Sequence, residues 1–396
     1  MIPYGRQSID ADDIAAVVAV LQGDRLTDGP AVERFEAALA EATGAPHVVA
    51  CNSGTAALHL AAMALDLGPG DAAVVPSITF LSTANVPHHT GAAVRFADVD
   101  PDTGLLTPET LEQALARPGP GTPRAVFPVH LNGQVCDMAW IAAVAERHGL
   151  AVVEDACHAL GGGARLDGAR VPVGAATASA AACFSFHPVK TVAMGEGGAV
   201  TTRDAEMAAR MRRLRTHGFT RDPALFQADA QAFDADGVPN PWYYEMAEPG
   251  HNFRASDLHC ALGASQLRKL DRFLTRRRAL AALHDRALAP LAPRLRPIPR
   301  GPSEDDGWHL YVVRIDFEAV GRSRAEVMRA LAAAGIGTQV HYIPVHRQPF
   351  YRALDPDLHL PGAEAYHARC LSIPLFPDMA DADVDRVAGA LAEALG

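Results

Sequence analysis

Between residues 47 and about 205, short apolar runs alternate with helical patterns, and this alternation restricts the fold more than any other feature. Strands are expected at 47–51, 72–76, 93–97, 124–129, 151–155 and 181–186, with helices at 54–66, 79–90, 107–116 and 137–148 between them. Parallel neighbours need a long crossover, which a helix supplies, so the pattern implies βαβ units and a mostly parallel, buried sheet. The fold class is therefore α/β, with helices on both faces and ligand chemistry at the carboxyl ends of the strands.

The flanking regions read differently. Residues 10–22 form an amphipathic helix with acidic residues in its first turn, 23–30 a loop, and 31–42 a second helix. Residues 218–250 carry little periodicity and read as a long ordered loop, which in a compact domain is more often functional than idle. A helix over 255–286 follows, striped by Leu258, Leu262, Leu267, Leu270 and Phe273. The Pro-rich stretch 287–306 marks a change of domain. Beyond it, strand 309–316, helix 323–334, strand 337–342 and helix 380–394 make a small C-terminal α+β domain. The expected division is 1–255 as the large ligand-binding domain and 256–396 as linking helix plus small domain.

A net charge of −11 argues against nucleic acid or an anionic membrane as the main partner. Arg276-Arg277-Arg278 is accordingly read as a solvated helix face. The start Met1-Ile2-Pro3-Tyr4 has neither a basic nor an apolar leader region, and no apolar run convinces as a membrane span, so the cytoplasm is expected. Six scattered cysteines without a CxxC pair read as reduced core thiols. His88-His89 and His341 with His346 lack further ligands at a metal spacing, so no metal is expected.

Three strand ends carry chemistry. Ala180 to Phe186 is an apolar strand, Pro188 and Gly197-Gly198 interrupt it, and Ala199-Val200-Thr201-Thr202 restarts. Lys190 thus sits on a tight connection between core strands, where burial leaves part of it as free amine; the plain alternative is a lysine on an exposed turn. Val152 to His158 is a strand ending in the carboxylate of Asp155 and the imidazole of His158. Val48 to Leu58 is a strand, a small-residue turn (Ser53-Gly54-Thr55) and a helix start, a cup for an anion. Anion cup, acid and lysine, in that order, suit pyridoxal 5′-phosphate: the cup takes phosphate, the acid the pyridine nitrogen, the lysine the aldehyde. No GxGxxG follows a strand, and there is no P-loop or GxSxG elbow.

These blocks, together with Pro3 to Gln7 and Ile373 to Pro377, resemble the DegT/DnrJ/EryC1/StrS family of aminotransferases acting on nucleotide-linked keto-sugars. The resemblance implies the fold-type I architecture of pyridoxal-phosphate-dependent transferases. It also implies roles. Ser185 to Lys190 matches the family's Ser-Phe-His-x-x-Lys block, making Lys190 the cofactor lysine and general base and Ser185 a phosphate donor. Asp155 would pair with the pyridinium and His158 approach the cofactor's phenolic oxygen. Ser53, Gly54 and Thr55 would hold the phosphate and Phe80 stack on the ring, where plain core packing is the alternative. Gly250 to Arg254 matches the block from which an asparagine, here Asn252, reaches a partner's phosphate, implying a homodimer with shared sites.

Pro3 to Ile9, the loop with Pro241-Trp242-Tyr243-Tyr244, and Gln339 to His346 resemble the branch of the family acting in pseudaminic acid synthesis. That implies a UDP-4-keto sugar as acceptor and L-glutamate as donor, with pyridoxamine 5′-phosphate as the intermediate cofactor form. Tyr4, Asp24, Arg25, Leu26, Thr27, Gln339, Val340, His341 and Tyr342 would contact the sugar nucleotide. Ser53-Gly54-Thr55-Ala56 follows the general family where this branch carries Ser-Ala-Thr-Ser, so GDP-perosamine-type and dTDP-amino-sugar substrates stay open. Two rival readings fit the residues less well. Members that use pyridoxamine phosphate for dehydration carry His where Lys190 stands, and a cofactor-bound regulator without turnover would not need Lys190, Asp155 and Ser185 together.

Overall fold

In a computed structural model describing residues 1–396 apart from Asp167, Asp229 and 302–304, the chain builds a seven-stranded sheet flanked by helices. Its order is His47–Cys51, Gly198–Thr202, Ala181–Ser185, Ala151–Asp155, Thr122–Val126, Asp71–Pro76, Ala93–Ala97. Every neighbouring pair is parallel except those involving Gly198–Thr202, which runs antiparallel to both its neighbours. The interior strands have continuous apolar sequences because both faces are covered. In the interior strand Asp71–Pro76, Ala72, Ala73, Val74 and Val75 are all inaccessible to solvent, and burying each valine is worth about 1.5–3 kcal/mol.

The reversed strand has a local cause. After Ser185 the chain turns through Pro188 and Lys190, and Gly195 takes a left-handed backbone (φ 81°) on the way back. Gly198 then passes so close to the preceding helix start that a Cβ would lie 2.1 Å from the carbonyl oxygen of Ser53. The strand therefore touches the lysine turn at one edge and the Ser53 turn at the other.

A second core gathers Leu280, Val313, Val327, Leu331, Ile373 and Leu391 under a three-stranded antiparallel sheet of Leu295–Pro297, Tyr311–Ile315 and Cys370–Ile373. Ile2 packs into this core, and the Tyr4 carbonyl accepts from the Leu375 N–H at 3.1 Å. Among the described residues no helix is long and apolar enough to cross a membrane, and no group of three or more His, Cys, Asp or Glu could hold a metal ion. All six cysteines are free, and all but Cys157 are buried.

Several expected elements differ. The helix over 255–286 is two helices, Asp257–Leu267 and Leu270–Leu288, broken at Arg268-Lys269. Residues 337–342 form no strand; only Gln339 bridges to Ser372, and the rest turns toward the main sheet's cleft. The solvated arginine face is wrong at its centre. Arg277 is 1% exposed, and its Nη1 donates to the carbonyls of His309 (3.1 Å) and Leu375 (3.0 Å), tying helix Leu270–Leu288 to the second core. Burial pushes its pKa down to about 10. The hairpin Gly163–Leu166/Ala169–Pro172 and the helices Ala205–Leu214 and Pro361–Arg369 were not anticipated. Of the Pro-rich stretch, 289–291 and 295–297 are ordered elements, and 302–304 lie outside the described residues.

Candidate active site

The carboxyl ends of five parallel-running strands open onto one cleft of about 670 Å³. Its lining draws Ser53, Gly54 and Thr55 from the first strand's turn and Thr79 and Phe80 from the next. Asp155, Cys157 and His158, then Ser185 and Lys190, follow from the two central strands. Tyr4, His309 and 339–343 close it from the second core's side. Sequence positions from 4 to 343 thus meet at the place where strand ends leave backbone groups free.

Ser53 stops the strand and caps the helix Gly54–Ala64, its Oγ accepting from the Ala56 N–H at 3.1 Å. The helix start is crowded. A Cβ on Gly54 would lie 2.8 Å from Ser185 Cβ and 3.2 Å from Cys157 Sγ, so only glycine lets the helix end approach the lysine strand. Thr55 is exposed to the cleft, where the unpaired N–H groups of a first helical turn favour an anion.

Asp155 is buried and held on both oxygens: Oδ2 accepts from Thr83 Oγ1 at 2.7 Å, and Oδ1 from the Cys157 N–H at 3.2 Å. Thr79 Oγ1 lies 2.8 Å from Thr83 Oγ1, extending the chain of hydroxyls. Across the cleft Lys190 Nζ has no ion-pair or hydrogen-bond partner among the described residues. Burial pushes its pKa below the ordinary lysine value, with Cys157 and Asp155 opposing. The backbone at Lys190 is fixed by its N–H donating to the His187 carbonyl at 2.8 Å. An unpaired, desolvated amine therefore faces the space above a fixed carboxylate.

His158 is buried, and burial pushes its pKa well below the usual value, so it is neutral. Its Nδ1 accepts from the Asn132 backbone N–H at 3.2 Å, and its Nε2 lies 3.2 Å from the Tyr342 hydroxyl. His309 packs on it with ring centroids 4.4 Å apart. His341 is held by Ser372 Oγ at 2.7 Å, and Tyr4 lies beside it with centroids 5.6 Å apart. Phe80 is 54% exposed at the mouth, 6.0 Å from the Tyr342 ring. It is no core residue, which removes the plain-packing alternative.

Some expected residues lie elsewhere. Asp24, Arg25, Leu26 and Thr27 are exposed beside the start of helix Asp257–Leu267, where Leu26 O accepts from the Asp257 N–H at 2.9 Å. Asn252 is exposed, its carbonyl accepting from Asn52 Nδ2 at 3.3 Å, and it does not line this chain's cleft. Nor does the 218–250 loop, with Trp242 61% and Tyr244 57% exposed. Thr83, Asn132 and His309 were missed; nothing in their local sequence marks them, since folding alone brings them to Asp155 and His158.

The donor set fits pyridoxal phosphate at all three ends: a crowded helix start for phosphate, a fixed buried carboxylate for the ring nitrogen, and a desolvated amine for the aldehyde. Fold and cleft define a pyridoxal-phosphate-dependent aminotransferase. The chain belongs to the DegT/DnrJ/EryC1/StrS aminotransferase family, which it matches over residues 7–392.

Solved structures agree. PseC of Helicobacter pylori, an aminotransferase involved in the biosynthesis of pseudoaminic acid, is 26% identical with a TM-score of 0.87, covering 100% of this chain and 99% of that one. Spr1654 of Streptococcus pneumoniae, provisionally assigned as a sugar aminotransferase, is in its PMP form 28% identical, TM-score 0.87, covering 100% and 99%. It is also known in a PLP form. DesI, solved in the presence of its TDP-sugar product, is 32% identical, TM-score 0.84, covering 100% and 93%. This chain is a sugar aminotransferase that uses pyridoxal phosphate.

Proposed function

We propose that the enzyme moves the amino group of L-glutamate to C4 of a UDP-4-keto-6-deoxy-N-acetylhexosamine, giving a UDP-4-amino-4,6-dideoxy sugar of the pseudaminic acid type. The observation that carries the transfer is the unpaired, desolvated Lys190 amine facing Asp155 across a cleft wide enough for a sugar. Bound pyridoxal phosphate supplies the electron sink and stores the amino group between the two halves of the exchange. Lys190 Nζ takes the proton from glutamate's α-carbon and returns one to the sugar's C4. Asp155, held by Thr83, keeps negative charge at the ring nitrogen, and the Gly54 and Thr55 N–H groups with Ser185 Oγ take the phosphate. Phe80, exposed at the mouth, would cover a face of the ring. Tyr4 and 339–342 line the mouth where the sugar enters and exclude water behind it.

The assembly in this reading is a cytoplasmic homodimer. Asn252, the 24–27 loop and the aromatic loop lie outside their own cleft, and they serve the partner's site. Purified protein incubated with glutamate and a panel of UDP-, GDP- and dTDP-4-keto sugars tests the substrate; turnover confined to a GDP sugar would falsify it. A dTDP-sugar is the second reading, favoured by Ser53-Gly54-Thr55-Ala56 and the 32% identity to DesI. For the assembly, mixing Lys190→Ala with Asn252→Ala chains should recover activity at one site of a mixed dimer. No recovery counts against shared sites.

A further inference from the structure

The geometry points to Tyr342, with its hydroxyl oriented by His158, as the hydrogen-bond donor to an anionic oxygen bound in the cleft. The inference rests on the reading of the cleft as a pyridoxal phosphate site, and it puts a second side chain between His158 and the oxygen that the family resemblance has it approach.

Both ring nitrogens of His158 are engaged inside the protein. The Asn132 backbone N–H can only donate, so His158 Nδ1 at 3.2 Å must accept and carries no proton. In a neutral imidazole the proton is then on Nε2. Nε2–H points at the Tyr342 oxygen, 3.2 Å away, so that oxygen accepts. The tyrosine's own O–H must aim elsewhere, and among the described residues it has no second partner. Tyr342 lines the cleft between His158 and Phe80, and the cleft is what remains open to it.

The support behind His158 keeps this arrangement single. Asn132, in a left-handed backbone (φ 64°), is anchored by Nδ2 donating to Tyr366 Oη at 2.9 Å. His309 covers the imidazole at 4.4 Å between centroids, and its own carbonyl is gripped by Arg277. Protonating His158 would set Nδ1–H against the Asn132 N–H. Burial already holds the ring neutral, and burial holds the Tyr342 hydroxyl protonated. A hydroxyl that stays protonated and points into a low-dielectric cleft suits an anion and not a cation. His158 is then a positioning residue, and Asn132 and His309 position it in turn.

Two anionic oxygens could take this donor: the cofactor's phenolic oxygen and the amino donor's carboxylate. The test uses holoenzyme of the parent chain, Tyr342→Phe and His158→Asn, with no sugar present. The first arm titrates the absorbance band of the bound cofactor with pH. If the phenolic oxygen is the acceptor, losing the donor concentrates its negative charge beside the neighbouring proton. The titration midpoint then rises by about one unit, a roughly tenfold change in proton affinity, in Tyr342→Phe. In the second arm, if the carboxylate is the acceptor, the midpoint stays. The glutamate concentration that half-bleaches the band then rises about tenfold. His158→Asn should follow the same arm more weakly, because the hydroxyl is present but no longer aimed. If Tyr342→Phe moves neither quantity by twofold, the inference is overturned, even should thermal stability or cofactor occupancy fall. A parent enzyme that glutamate does not bleach sinks the glutamate reading instead, and the second arm is then read with the amino acid that does bleach the band.

Discussion

Residues 181–202 and 219–246 each carry the chain out and back, yet they are built from opposite materials. In the first, two strands are buried along their length, Gly198 sits against a neighbouring backbone, and Lys190 is placed by a turn that leaves its amine nowhere to wander. The second is held mostly by itself. Its two-residue strands Phe219–Thr220 and Glu245–Met246 pair, Tyr243 donates to the Ala228 carbonyl at 2.9 Å, and Phe226 packs edge-on to Tyr243 at 4.9 Å. Leu225, Val238, Trp242, Tyr244 and Met246 face outward. The comparison separates two constructions: the lysine turn is embedded in the sheet, whereas the second stretch leaves a set of large apolar side chains uncovered.

The sharpest break in that contrast comes from Lys190→Ala. Transfer should fall roughly a thousandfold or more, because both covalent attachment and proton relay are lost. The variant should still bind cofactor, since the other two anchors are untouched; normal turnover would end the assignment. Next in size is Gly198→Ala, whose Cβ would lie 2.1 Å from Ser53 O. Backbone atoms cannot yield as a flexible side chain does, so a loss of about 3 kcal/mol is expected in urea unfolding. A change below 1 kcal/mol, roughly surface-like, would show that the hairpin is looser than argued.

Acid should act first through two buried histidines that lie outside both stretches, His284 and His341. Burial pushes His284 down to about 4 and His341 down to about 3 from 6.5. The native state therefore binds fewer protons than the unfolded chain below pH 6.5, and stability rises with pH through this window. The stability present above pH 6.5 is progressively lost as pH falls toward 4 and below. No histidine lies in 219–246, where the acid-sensitive group is instead Glu245, its carboxylate held below the ordinary range by the Gln227 and Ala228 N–H groups. Melting followed by circular dichroism should show the midpoint dropping over that range, and a flat profile would contradict the burial argument. The smallest effect on stability belongs to Trp242→Ala: within about 0.5 kcal/mol, since the ring is already in solvent. Its half-saturating sugar concentration should nevertheless rise, roughly tenfold if the ring stacks on a base. A variant that unfolds readily, with unchanged sugar response, would make the loop a structural element after all.

What could be read from the sequence follows the same division. Strands buried on both faces must be apolar throughout, so the sheet announced itself, and Lys190, Asp155 and Ser53 stood out as polar residues at the ends of apolar runs. Ala205–Leu214 was missed because its Ala- and Arg-rich sequence shows few large apolar residues. The strand expected at 337–342 has the right composition, but its side chains are spent on the cleft and on Ser372. Arg277 misled because an arginine triplet gives no local sign that one member turns inward onto carbonyls. Thr83, Asn132 and His309 each come from a distant part of the chain, and only the closed fold gives them a task.

The reversed strand Gly198–Thr202 has a consequence for how such an enzyme can change. It fastens the Ser53 turn on one side to the Lys190 turn on the other, so the anion cup and the reactive amine share one rigid mount. A drift of either carries the other with it. Change at the cleft is therefore freer where its lining comes from outside this mount, as at Tyr4 and 339–342, while the pitch of the lysine stays as the sheet set it.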